Sequence, residues 1–281
     1  MKTWFITGAN GGLAYPMIEM LLERGDRVAA TVRKPQALDR LQKKYGSSLW
    51  LANLDLTESR SIKQVVNQAI EDLKIIDVLV NNAGYGLFGA VEEVSDEQIE
   101  HVFQTNFFGA LRVARTFMPY FRSRGKGHIV QISSMVGHLS NPGQGLYSAS
   151  KWAVEGAFET LAKEVAPFNI KLTLVEPGGI RTGFFSNNGI FGEELDVYDN
   201  QPARDFKRLY QDIRAKEGEG MNMIIGDPQK MAKVIIQSVD EGNGPLRLAL
   251  GSDAYEEIKK DLTSRLTELE AQKEVSYSTD I

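Results

Sequence analysis

Short apolar runs alternate along the chain with stretches in which apolar residues recur every three or four positions. Trp4-Phe5-Ile6 ends in Thr7-Gly8-Ala9-Asn10-Gly11-Gly12, after which Leu13, Met17, Met20 and Leu21 fall on one helical face. Further strand-like runs lie at Val28 to Val32, Leu49 to Leu54, Val78 to Val80, Ile129 to Ile132, Leu172 to Val175 and Leu246 to Leu250. Helical spacing occupies 36–45, 62–73, 95–122, 145–165 and 228–240, long enough for right-handed parallel crossovers. Ser95-Asp96-Glu97-Gln98 supplies a capping box, and Gly25 and Gly125 sit where helices should stop. The pattern predicts a doubly wound α/β fold: seven parallel strands, helices on both faces, one domain over 1–281.

Residues 184–226 break the alternation. They scatter Phe184, Phe185, Phe191, Tyr198, Tyr210, Met221 and Met223 among glycines and charges, which predicts an irregular substrate-binding loop or lid. At the far end, Asp253 to Lys273 predicts a surface helix, and Glu274 to Ile281 a frayed tail.

Composition narrows the function. With 281 residues, 42% of them hydrophobic, the chain can bury a full core, while a net charge of -5 and no basic block exclude nucleic acid and anionic membrane as partners. There are no cysteines, and His101, His128 and His138 lack a ligand spacing, so no metal centre is expected. The first apolar run is too short for a signal peptide and no later one approaches a membrane span, which places the protein in the cytoplasm by expectation.

Glycine at positions 8, 11 and 12, between a first strand and a first helix, lets backbone N–H groups approach a pyrophosphate, as in Rossmann-type dinucleotide folds. Ala14 takes the third small position. An acid at the end of the second strand would bind a ribose and repel an added phosphate, but the chain reads Thr31-Val32-Arg33-Lys34. That favours NADP(H) over NAD(H); a solvated strand end is the plain alternative. Asp55 either accepts from an adenine amino group or caps the next helix, and Asn81-Asn82-Ala83-Gly84 offers small residues and amides at a strand end.

Proton chemistry concentrates in Ser133-Ser134-Met135-Val136-Gly137 and Tyr147-Ser148-Ala149-Ser150-Lys151. On a helix, Tyr147 and Lys151 share a face one turn apart, so the ammonium is expected to lower the phenol pKa toward working pH.

Thr7-Gly8…Gly12, Asn81-Asn82-Ala83-Gly84, Asn106, Ser134, Tyr147-x-x-x-Lys151 and Pro177-Gly178-Gly179-Ile180-Arg181-Thr182 together resemble the short-chain dehydrogenase/reductase superfamily over residues 3–183. The wording around Thr31 to Pro35 and Val175 to Gly178 is most similar to carbonyl reductases related to 17β-hydroxysteroid dehydrogenases. The resemblance implies Tyr147 as general acid or base, Lys151 beside it and on the nicotinamide ribose, Ser134 on the substrate oxygen, and Asn106 steadying a water in a proton relay. It assigns Ser133 a structural hydroxyl. Cofactor contacts are implied for Gly8, Asn10, Gly11, Gly12 and Leu13, for Arg33, for Asp55 and Leu56, for Asn82, Ala83 and Gly84, and for Pro177, Gly178, Ile180 and Thr182. The departure at Ala14 touches cofactor affinity and not reaction type.

Tyr85, Leu87, Met135, His138, Gln144, Phe184 and Phe185 are candidate pocket walls, although His138 reads slightly better as a loop histidine with no ligand contact. The expected function is an NADPH-dependent carbonyl reductase or alcohol dehydrogenase acting on a hydrophobic ketone or aldehyde. An NADP(H)-binding regulator without turnover is the alternative, and sugar-nucleotide epimerase chemistry is disfavoured because only about 100 residues follow Thr182. Phe103, Phe107, Leu111, Trp152 and Phe158 permit a homodimer or homotetramer through the long helices, or serve the core.

Overall fold

In the computed structural model, which describes residues 1–184, 189–215, 222 and 224–281, all seven expected strands pair in parallel. They are β1 (Thr3–Thr7), β2 (Arg27–Val32), β3 (Leu49–Asn53), β4 (Val78–Asn81), β6 (Gly127–Ile132), β7 (Ile170–Pro177) and β9 (Arg247–Leu250), in the order β3-β2-β1-β4-β6-β7-β9. Strand order reverses between β1 and β4, so a crevice opens above their carboxyl ends.

Residue alternation within the strands builds two cores. Trp4 and Ile6 of β1, with Val78 and Val80 of β4, face α1 (Ala14–Glu23), α2 (Asp39–Tyr45) and α8 (Pro228–Glu241). Phe5 and Leu79 face the other way, onto α3 (Ser59–Leu73), α5 (Ala110–Arg124) and α6 (Gly145–Val165). The inner strands are buried on both faces, as a sandwiched parallel sheet requires, while the edge strands β3 and β9 are partly open.

Three expectations need correction. The helix expected over 95–122 is α4 (Asp96–Phe103) and α5 joined by a π-helical turn, Gln104–Gly109. The wider turn seats Gly109 against Leu56, where an added Cβ would lie 2.6 Å from the leucine Cβ. The 184–226 region is not irregular throughout: β8 (Gly189–Phe191) pairs in parallel with a short β5 (Gly86–Phe88), and α7 (Asp205–Ala215) follows. Phe206, Leu209, Tyr210 and Ile213 recur at helical spacing there and pack into one apolar cluster, which charged neighbours hid in the sequence. The tail does not simply fray either, because α9 (Ser252–Ala271) continues into α10 (Lys273–Tyr277). Among the described residues no helix is long and apolar enough to cross a membrane.

His128 is buried in β6, its Nε2 2.9 Å from the Thr173 hydroxyl. Burial first, then the nearby Lys171 and Lys2 charges, pull its pKa down to about 4. The unfolded chain, with histidine near 6.5, therefore binds a proton that the folded chain refuses. Stability is expected to fall by up to about 3 kcal/mol as pH drops from 6.5 toward 4. Urea midpoints across that window should show the slope in the wild type and lose much of it in His128→Gln; equal slopes would contradict the assignment.

Candidate active site

The crevice is one cleft of about 660 Å³. It runs from Arg33, Asp55 and Leu56 past Gly8, Asn10, Gly11, Gly12 and Leu13, then Asn82, Ala83 and Gly84, to Ser134, Tyr147, Lys151, Pro177, Gly178, Ile180 and Thr182. Every cofactor residue expected from sequence lines it. Lys34 is not in its wall.

At the glycine turn, Gly8 and Gly12 have φ of 63° and 59°, and a Cβ on Gly8 would lie 2.7 Å from the Ala83 Cα. The Asn82 side chain donates to the carbonyls of Thr7 (3.1 Å) and Gly8 (2.9 Å). The Thr7 hydroxyl accepts from the backbone of Asn82 and Ala83. The strand-end amide is thus the clamp that holds the turn open to a ligand. Asp55 does not cap α3, whose N-cap is Glu58: it lines the cleft, and its carboxylate accepts from the Thr57 N–H and hydroxyl two residues before α3 begins.

Gly178 has a different constraint. Asp253, at the start of α9, approaches so closely that a Cβ on Gly178 would lie 2.2 Å from its carboxylate oxygens, and its Oδ2 accepts from the Gly179 N–H at 2.7 Å. Farther on, the Thr182 hydroxyl accepts from the Phe184 N–H.

Tyr147 and Lys151 lie in the first turns of α6, which begins at Gly145 as the periodicity predicts. Both are buried. The Lys151 ammonium is held by the Ile132 carbonyl at 3.1 Å and lies 5.8 Å from the centre of the tyrosine ring. The phenol pKa is consequently not lowered as expected: burial pushes it up to about 12, opposed by a hydrogen bond with Ser134. Burial also pulls the lysine down to about 8, opposed by the charge of Glu155 one turn on. Ser134 lies two residues past the end of β6 and caps the turn Met135–Gly137, accepting from the Val136 N–H.

Asn106 sits in the π-helical turn and faces Gly84 and Lys151 from below. Its amide is occupied by the Tyr85 backbone, accepting at 3.0 Å and donating at 2.9 Å, and it donates to Ser150 Oγ at 3.2 Å. Ser150 in turn donates to the Tyr147 carbonyl. In this arrangement Asn106 ties the segment after β4, at Tyr85, to α6.

Above Tyr147 the wall is aromatic. Phe88 touches Tyr147, Phe184, Phe191, Phe206 and Tyr210, with ring centres 4.4 to 6.2 Å apart. Tyr85, Met135, Gln144 and Phe184 line the cleft as expected, joined by Phe88, Val136, Ile190 and Phe206. Leu87 does not: strand alternation turns it into a small cluster with Val94 and Val102. Phe185, Met221 and Met223 lie outside the described residues.

The family model for short chain dehydrogenases matches residues 2–190. A 3-ketodihydrosphingosine reductase of Bacteroides thetaiotaomicron is 39% identical over 246 residues, 88% of this chain and 86% of its own. Oxidoreductase BOA17 of Botryotinia fuckeliana is 35% identical, over 91% and 90% of the two chains. A short-chain dehydrogenase from Streptomyces avermitilis superposes over 100% of both chains with a TM-score of 0.90 at 37% identity. The chain belongs to the short-chain dehydrogenase family.

As a short-chain dehydrogenase it is an oxidoreductase of a family that binds a nicotinamide cofactor, and its cleft fits a dinucleotide. A Cβ on Gly11 would meet nothing within 4 Å, so the turn presents open backbone at the start of α1, where phosphate is favoured.

His138, a candidate wall, turns away from the cleft of this short-chain dehydrogenase. Its Nε2 lies 3.0 Å from Glu176, and that bond raises its pKa. Glu155, His138 and Glu176 have the donor types of a metal site, yet Arg247 Nε lies 3.2 Å from Glu155 and 3.3 Å from Glu176, so guanidinium and imidazole balance the carboxylates. The network joins the segment after the turn Met135–Gly137 to β7, β9 and α6, and the His138 carbonyl holds α9 by accepting from Arg265.

Sequence reasoning missed Asp253, Phe88, Ile190, Phe206, and the pair Glu93 and Arg204 that fastens the pocket wall. Arg204 meets both carboxylate oxygens of Glu93 at 2.5 and 2.6 Å, with both side chains buried. Glu93 also accepts from the N–H groups of Ala90 and Leu195. Only Asp253 left a sequence signal: an acid at a helix start following Gly251-Ser252.

Proposed function

We propose that this enzyme reduces apolar ketones and aldehydes with NADPH. The observation that carries the reading is the Tyr147 phenol, buried beside Ser134 at the inner end of the cleft and under an aromatic wall. With a pKa raised to about 12 the phenol keeps its proton at neutral pH, the state a general acid needs.

Arg33, exposed at the adenosine end, is the group that would pair with a 2′-phosphate. Gly8 to Leu13 would hold the pyrophosphate, and Lys151 and the Pro177 to Thr182 turn the nicotinamide end. The bound cofactor supplies the hydride. Ser134 donates a hydrogen bond to the carbonyl oxygen, and the Tyr147 O–H bond breaks as its proton passes to that oxygen, leaving an alcohol. Lys151, one turn away, stabilises the phenolate left behind. Phe88, Phe184 and Phe206 exclude water and hold apolar substituents. That a relative is a reductase of 3-ketodihydrosphingosine, a ketone by name, supports the substrate class.

A panel of apolar ketones and aldehydes, followed by nicotinamide absorbance, tests the reading. Turnover is expected with NADPH, and Arg33→Ala should weaken NADPH by about tenfold to a hundredfold while leaving NADH unchanged. No turnover of any carbonyl would overturn the reaction, and equal NADPH affinity in the variant would overturn the cofactor choice.

A further inference from the structure

One polar side chain in the aromatic half of the cleft takes no part in the proton transfer. Gln144 lines the wall with Phe88, Ile190 and Phe206 and is 8% exposed. It stands at the N-cap of α6 without capping it, and among the described residues its side-chain amide makes no hydrogen bond. Its buried neighbours differ. Ser134 and Tyr147 are bonded to each other, and Lys151 is bonded to the Ile132 carbonyl.

The backbone fixes where this amide stands. The Gly143 carbonyl accepts from the Gly89 N–H, and a Cβ on Gly143, whose φ is 77°, would lie 2.4 Å from the Ala203 carbonyl oxygen. A Cβ on Gly145 would lie 3.0 Å from Val91. Glycines on both sides thus let the chain press against the segments that carry Phe88 and Phe206, and Gln144 is held between them. Its own carbonyl accepts from the Ser148 N–H at 2.9 Å, so it opens the first helical turn, with its Cβ about 5–6 Å from that of Tyr147 three residues on.

We propose that Gln144 determines specificity, and that the preferred substrate is an apolar ketone bearing a neutral hydrogen-bonding group, a hydroxyl or an amide, one or two carbons from the carbonyl. The inference rests on the reductase reading of the site. With the ketone oxygen on Ser134 and Tyr147, a substituent that close to the carbonyl reaches the amide one turn away. A purely apolar ketone seated against Phe88 and Phe206 would shut the amide off from solvent and give no hydrogen bond back. Such a group left buried and unpaired is costly, and a site built around it rejects the analogue without the partner more strongly than an apolar pocket rejects a missing methylene. The carboxamide both donates and accepts, which suits a hydroxyl or another amide. Charge is not called for: apart from Lys151, the ionised side chains on the cleft wall, Arg33 and Asp55, stand at its adenosine end.

Steady-state reduction of 1-hydroxydecan-2-one and of 1-hydroxydecan-3-one by the full chain, with NADPH and with NADH, each compared with the ketone lacking the hydroxyl, tests the inference. In the wild type kcat/KM should favour the hydroxyketone by about tenfold or more in at least one pair. Gln144→Met keeps the length of the side chain and removes its amide, and should shrink that preference by about fivefold or more. The hydroxyl changes the intrinsic reactivity of the carbonyl equally in both proteins, and any loss of folded enzyme cancels in the ratio, so the change in preference reports the contact at residue 144. A wild type without preference in either pair, or a variant with the wild-type preference, would overturn the inference and leave the reductase reading standing. Turnover of none of these ketones would overturn that reading and the inference with it.

Discussion

Tyr147→Phe should lower kcat by about 10³-fold, close to 4 kcal/mol of barrier, while leaving NADPH affinity within a factor of about two. The variant keeps the ring and its contacts with Phe88 and Phe184, and loses only the hydroxyl bonded to Ser134. Because one neutral hydrogen bond contributes about 1 kcal/mol, the melting temperature should move by only a few degrees. Kinetics and fluorescence titration of the cofactor measure both halves. Retained turnover would remove Tyr147 from proton transfer. Loss of NADPH binding along with turnover would instead give the phenol a mainly structural part.

The second large effect belongs to Glu93. Glu93→Gln keeps the shape of the side chain but takes from the Arg204 guanidinium, itself 5% exposed, its nearest counter-ion. Only the more exposed Asp199 and Glu194 are left, at 3.6 and 3.9 Å, so the cost should fall below the about 3–5 kcal/mol of a buried pair broken outright. Since the pair fastens the segment around Leu195 to the loop before α4, the cost should appear as opening of the pocket wall. Substrate KM should rise by about tenfold or more, with cofactor affinity unchanged and faster proteolytic cleavage within 189–204. The pairing with Arg204 holds the Glu93 carboxyl down at about 2. A depressed carboxylate stabilises fully above its unfolded pKa of about 4.5, and that contribution is lost as pH falls from there toward 2. Unchanged KM and unchanged proteolysis would show that the wall stands without the pair.

Much of this is legible in the sequence, for a physical reason. A strand buried on both faces must be an apolar run, and a phosphate turn must be glycine, so β1, Gly8 and the seven-strand alternation are written in local composition. Tyr147 and Lys151 were readable because helical spacing alone sets them on one face. What their surroundings do to them was not: burial of the phenol, and the Ile132 carbonyl that holds the ammonium, are facts of tertiary packing. Phe88 looked no different from any core aromatic, and one-residue alternation made Leu87 the wrong neighbour to choose. Arg204 meets Glu93 across 111 residues, a separation no local pattern reports. Asp253 is similar, reaching Gly179 over 74.

The two ends of the cleft rest on different foundations. The glycine turn is clamped by bonds between β1 and the residues that follow β4, strands of the central sheet itself. The substrate wall rests on the separate β5–β8 pair and on the contact between Glu93 and Arg204, both outside that sheet. Local opening of the wall therefore leaves the groove at the glycine turn standing.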